Sequence, residues 1–127
     1  KNDLRSFYQI PRYQNLQTRF VAGMLFEYGG RYLRLNWSLR NWVLERAKYN
    51  LKNAYEAYGL KERFEESVEL FASCADLEPQ LETERYQDTP NRPVVSDLEE
   101  STREALRRAN SLDMELYEFA VDYFGDQ

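Results

Sequence analysis

The chain has 127 residues, of which 43% are hydrophobic and 31% charged, with a net charge of −5. That profile excludes intrinsic disorder and predicts one domain, or part of one, over residues 1–127. With no histidine, a single cysteine and no apolar run near the length of a bilayer span, it lacks the commonest base and metal ligand, any internal disulfide and any membrane segment.

Charge is divided unevenly along the chain. Residues 1–50 carry nine Lys/Arg and three Asp/Glu, a balance of +6. Residues 51–127 carry eight and nineteen, a balance of −11. The basic half is rich in arginine, whose fork suits phosphate and sulfate groups. The acidic half argues against nucleic acid as a partner.

Residues 1–14 read as a helical turn and a loop around Pro11. From Asn15, a plausible N-cap, the pattern turns helical. Leu16, Phe20, Val21, Met24, Leu25 and Tyr28 share one face, and Gly29-Gly30 closes the helix. A second helix is predicted over 36–53, capped by Asn36, with Leu39, Trp42, Val43, Ala47, Leu51 and Ala54 inward. Lys48 and Lys52 near its end suit the helix dipole. Residues 55–60 form a short aromatic run that is either one buried strand or a loop. A lone strand makes no sheet, so a strand here points to a larger α/β fold or to a homo-oligomer.

A third helix is expected over 64–75, with Phe64, Val68, Phe71 and Ala72 inward. Cys74 lies in this apolar stretch and reads as a buried, inert thiol. Residues 76–95 contain Pro79, Pro90 and Pro93 and read as a long loop, a type that tends to be functional or disordered. Ser96-Asp97-Leu98-Glu99 has the form of a capping box. The helix after it turns Leu98, Thr102, Ala105, Leu106 and Ala109 inward. Asn110-Ser111 breaks or kinks it. A last stripe of Leu112, Leu116, Phe119, Ala120 and Tyr123 ends at Gly125. The chain is therefore mainly α, with about five helices and at most one or two short strands.

No self-sufficient active site is visible. There is no glycine-rich phosphate loop ending in Lys-Ser or Lys-Thr, and no Cys/His cluster with metal spacing. The carboxylate pairs Glu65-Glu66 and Glu99-Glu100 are adjacent on helices, so they point apart as solvated faces.

Four segments, in order, carry a resemblance. They are Asn15-Leu16-Gln17-Thr18-Arg19 with Phe20 and Ala22-Gly23; Ala47-Lys48-Tyr49-Asn50-Leu51; Tyr58-Gly59-Leu60-Lys61-Glu62-Arg63-Phe64-Glu65-Glu66-Ser67; and Leu112-Asp113-Met114-Glu115-Leu116-Tyr117-Glu118-Phe119-Ala120 with Tyr123-Phe124. Together they resemble the second half of the carbohydrate sulfotransferases of the heparan sulfate 6-O-sulfotransferase type and their bacterial cousins. The resemblance spans nearly the whole chain. It implies the carboxy-terminal portion of a P-loop-like α/β sulfotransferase fold, with PAPS (3′-phosphoadenosine 5′-phosphosulfate) as donor, PAP as product and a sugar hydroxyl as acceptor. The family's phosphosulfate loop, its 3′-phosphate-binding arginine and serine and its catalytic base lie upstream of the Gln-Thr-Arg segment. None has a counterpart here, so the resemblance implies an upstream cofactor-binding half, in the same or a partner chain. The compartment follows the parent: Golgi lumen if animal-type, cytoplasm if bacterial.

The resemblance also implies site residues. Thr89-Pro90-Asn91-Arg92-Pro93 is similar to the late loop that closes over the nucleotide, which makes Thr89, Asn91 and Arg92 cofactor-binding candidates. The alternative for Arg92 is an ordinary exposed loop arginine. Gln17, Thr18 and Arg19 correspond to a segment close to the family's cleft and are substrate-binding candidates. Arg19 either reaches a ligand or makes an internal ion pair. Asp113 and Tyr117 read as structural anchors of the last helix. The implied chemistry is in-line sulfuryl transfer, in which positioning and electrostatics dominate as they do for phosphoryl transfer. A second reading is a non-catalytic helical interaction module derived from the family.

Overall fold

A computed structural model of the chain describes residues 9–24, 37–79 and 94–126. They form five α-helices: α1 (Leu16–Val21), α2 (Trp37–Asn53), α3 (Phe64–Cys74), α4 (Glu100–Ala109) and α5 (Ser111–Tyr123). Single 3-10 turns lie at Pro11–Tyr13, Lys61–Arg63, Val95–Asp97 and Phe124–Asp126. There is no strand among the described residues, and the mainly helical expectation holds.

The core forms where α1, α2 and α5 meet. Val43, Leu44, Ala47 and Leu51 come from α2 and Leu112, Leu116 and Ala120 from α5. Ala22, Leu60 and Phe124 close it. The α5 stripe and most of the α2 stripe were expected. Trp42 is 50% exposed, and the inward position beside Val43 belongs instead to Leu44.

Helix α1 has six residues, too few to persist alone, because the nucleation cost is spread over too few hydrogen bonds. Its ends are held by distant side chains. Asn15 sits at the N-cap position, but in the left-handed region at φ 50°, and its side chain does not cap its own helix. Instead the Asn15 Oδ1 accepts from the Leu112 N–H at 2.9 Å and the Asp113 N–H at 3.4 Å, capping α5. Asp113 returns the contact. Its carboxylate accepts from the Thr18 N–H at 2.8 Å, the Thr18 hydroxyl at 2.6 Å and the Gln17 N–H at 3.3 Å. Each helix thus caps the other's N-terminus, where unpaired amide groups gather.

The other end of α1 closes at Gly23, whose φ is +78°. The Gly23 N–H donates to Phe20 O at 2.9 Å and the Met24 N–H to Arg19 O at 2.7 Å, a Schellman arrangement. Asn50 Nδ2 and Arg46 Nε of α2 donate to the Val21 and Ala22 carbonyls at 2.7 and 3.2 Å. The helix therefore ends at Val21, short of the expected stop. Gly29-Gly30 and Asn36 lie outside the described residues.

These caps also set the rotation of α1. Thr18 and Arg19 face inward, at 0% and 4% exposure, while Leu16 and Phe20 are 42% and 54% exposed. Of the expected apolar face, Leu16 and Phe20 are turned outward while Val21 and Met24 still pack on the core, because the Asp113 carboxylate draws Thr18 into the interface.

Residues 55–60 form no ladder, but Tyr58 and Leu60 pack on the core. The Tyr58 hydroxyl donates to Ala120 O at 2.7 Å, and its ring meets Phe124 edge-on at 6.1 Å. Gly59 lets α3 approach closely: a Cβ there would sit 2.9 Å from Ser67 Cβ and 3.0 Å from the Phe71 ring. Ser67 and Ala72 are the buried residues of α3, with Phe64 and Phe71 about half exposed. Cys74 is exposed, contrary to expectation, at the last position of α3, where the helix ends.

The expected capping box does not form. Residues 95–97 make a 3-10 turn, Leu98 is extended at φ −80° and ψ 142°, and α4 begins at Glu100. Asn110, at φ −118° and ψ 30°, breaks α4 from α5 as expected. Its Oδ1 accepts from the Asn15 N–H at 3.2 Å, adding to the α1–α5 junction.

Candidate functional site

A groove of about 780 Å³ runs between α1, residues 58–62 and α5. Its floor is apolar, built from Val21, Leu51, Leu60, Leu116 and Ala120, and Leu16 and Phe20 stand on one wall. Gln17, Lys61, Glu62 and Tyr117 supply its polar rim. Its size falls in the range of small-molecule and peptide clefts.

The rim is set by the packing beneath it. Tyr117 stands one position past buried Leu116 on α5, and its hydroxyl donates to Glu62 Oε2 at 3.1 Å. That hydrogen bond raises the Tyr117 phenol above the usual tyrosine value, aided by partial desolvation and the Glu62 charge. Beyond it Arg63 forks onto Glu66, which raises the guanidinium value and lowers that of the carboxyl. The Arg63 guanidinium also lies 4.5 Å from the centroid of the buried Phe124 ring.

A second cationic feature lies between α2 and α5. Lys52 Nζ stands 5.3 Å from the Phe119 centroid and 4.7 Å from that of Tyr123, and these two rings stack at 6.1 Å. Lys48 Nζ is 5.7 Å from Phe119 and 3.2 Å from Glu45 Oε1. These lysines serve as packing cations here, beside the dipole role their position implied.

Of the substrate-binding candidates, Gln17 is exposed and lines the groove. Thr18 is fully buried, with its hydroxyl committed to Asp113. Arg19 is buried, and its Nη1 reaches Gln14 O at 3.5 Å. Burial lowers the Arg19 guanidinium from its ordinary value, and the Asp113 charge works against that shift. Arg19 thus has an internal hydrogen-bond partner, the Gln14 carbonyl. The cofactor-binding candidates Thr89, Asn91 and Arg92 lie outside the described residues.

Among the described residues no cluster of His, Cys, Asp and Glu has the makings of a metal site, and no helix is long and apolar enough to cross a membrane. The wall residues Leu16 and Phe20 were missed as groove residues because helical periodicity reads them as core. The Thr18–Asp113 pair that rotates them outward spans 95 residues. No family model matches the chain, and neither a curated protein nor a solved structure matches it.

Proposed function

We propose that this chain is the carboxy-terminal region of a PAPS-dependent sulfotransferase that moves a sulfuryl group to a carbohydrate hydroxyl. The phosphosulfate loop and the base come from an upstream half or a partner chain. One observation carries the reading. The four sequence segments behind the resemblance converge in a single core, and their polar residues hold one another there. Asn15 caps Leu112, Asp113 holds Thr18, Asn50 caps α1 and Tyr58 reaches Ala120. Such mutual dependence is expected of a scaffold kept as a unit.

In this reading the chain forms a wall of the cleft. Gln17 offers an amide to an acceptor hydroxyl. Arg92, with Thr89 and Asn91, offers a guanidinium and two small donors to the nucleotide's adenosine or its 3′-phosphate. Thr18 and Arg19 act indirectly, by fixing the orientation of α1. The test is calorimetric titration of the chain with PAP. Saturable binding that is lost in Arg92→Ala supports the proposal. No heat at millimolar PAP leaves the second reading, a non-catalytic helical interaction module, which the open apolar groove favours.

A further inference from the structure

Helix α3 stands at the margin of the core. Helices α1, α2 and α5 pack on one another, whereas the main neighbour of α3 among the described elements is the 3-10 turn Lys61–Arg63 before it. Its buried residues are Ser67 and Ala72, and Leu70 touches the core. The Ser67 hydroxyl is committed to the backbone of Leu60 and Arg63.

The apolar residues of α3 that do not serve this attachment form a stripe of their own. Phe64, Val68, Phe71 and Ala75 follow at spacings of four, three and four residues, which lines them up along one face. Phe64 and Phe71 are 48% and 46% exposed, Val68 is half-buried and Ala75 is exposed. Past the helix end, Leu77 and Pro79 continue the stripe around a hollow of about 640 Å³.

The border of the stripe is acidic. Glu65 and Glu69, both exposed, stand one turn apart beside it, and Glu78 lines the hollow at its far end. Residues 64–79 carry five acids, Glu65, Glu66, Glu69, Asp76 and Glu78, and no lysine or arginine. The Arg63 guanidinium, just before the helix, is held on Glu66.

We propose that the Phe64–Val68–Phe71–Ala75 stripe docks a cationic amphipathic helix of another polypeptide. Apolar side chains of that helix pack on the stripe, and its Lys or Arg residues face Glu65, Glu69 and Glu78. A stripe at three- and four-residue spacing is matched by the same spacing on a facing helix, and the acidic border sets the sign of the flanking charges. A second copy of the chain has the wrong sign, because α3 against α3 brings two acidic borders together. It also has too little area. The stripe is about 16 Å long and one side chain wide, far below the roughly 800 Å² per partner of a stable dimer. An anionic membrane surface repels the same border. The inference does not rest on the sulfotransferase reading, and helix binding without PAP binding would separate the two.

The probe is a fluorescein-labelled, end-blocked peptide of leucine, alanine and lysine, about 18 residues long so that it can hold a helix. Its leucines repeat at three- and four-residue spacing with lysines beside them. A second peptide has every lysine replaced by glutamate. Both are titrated against the full chain by fluorescence polarisation, with amide shifts followed by NMR. The expected result is saturable binding of the lysine peptide, shifts centred on residues 64–75, and binding of the glutamate peptide about tenfold weaker or less. Phe64→Ala should weaken the lysine peptide several-fold. Glu65→Lys combined with Glu69→Lys, both at exposed positions, should reverse the preference between the peptides. That reversal is the decisive arm, because a net charge of −5 attracts a cationic peptide to other acidic surfaces as well. No binding up to about 1 mM peptide, as follows if the chain's own residues cover the stripe, overturns the proposal. So does a preference unchanged by the two lysines, or dimerisation of the chain through α3 in sedimentation velocity.

Discussion

Asp113 ties α1 to α5 through side-chain hydrogen bonds rather than apolar packing. Its carboxylate takes two backbone donors and one hydroxyl from α1 while its own N–H helps Asn15 cap α5. Asp113→Ala strands these donors beside a buried Thr18 and should cost about 2–3 kcal/mol, read from urea denaturation midpoints at constant m. Thr18→Val removes one hydroxyl bond at nearly constant shape and should cost about 1 kcal/mol, so unequal losses are expected. Tyr117 gives a separate handle. The Glu62 bond favours its neutral phenol, so whatever stability it adds is present below the ordinary tyrosine range and fades as pH rises through the higher folded value. The absorbance difference between the native chain and Tyr117→Phe should therefore titrate above the ordinary tyrosine value. An ordinary midpoint would remove the Glu62 contact from solution. The anchoring role of Asp113 and Tyr117 was legible in the sequence. Their partners were not, because Thr18 and Glu62 lie 95 and 55 residues away.

The helices divide by how local their determinants are. The α5 stripe could be read directly, since Leu112, Leu116 and Ala120 repeat at helical spacing and all three are buried. Helix α1 could not, because tertiary caps rather than its apolar residues decide its rotation and length. The Ala22-Gly23 stop was available as a signal, but the later Gly29-Gly30 pair masked it. The Ser96–Glu99 spacing had the form of a cap without the backbone that a cap requires. Helix ends also give two predictions. Helix α3 closes through Asp76 at φ 55°, with the Leu77 N–H on Ala72 O at 2.8 Å, where a glycine is usual. Asp76→Gly removes both the left-handed strain and an acid from a helix C-terminus, and should stabilise by about 0.5–1 kcal/mol in thermal melts. Gly59→Ala should destabilise by about 1–3 kcal/mol, because its Cβ meets backbone-proximal Ser67 as well as the Phe71 ring. An unchanged melting temperature would mean that α3 does not pack against residue 59.

Across the whole molecule, the basic first half and acidic second half are interleaved. Arg46 and Asn50 of α2 cap α1, and the acid Asp113 reaches back to the same helix from the far end of the chain. The charge split of the sequence is therefore not a split between two structural units. Among the described residues the result is a helical scaffold with one apolar groove between α1, residues 58–62 and α5. The candidate nucleotide loop could be named from sequence alone, and the groove only from the structure. The central claim, that this chain works as the carboxy-terminal part of a larger sulfotransferase, is tested most directly by the intact mass of the protein isolated from its source. A mass well above 15.2 kDa, with added residues upstream that include a phosphosulfate loop and a base, is predicted. A mass of 15.2 kDa with no co-purifying partner chain would contradict it.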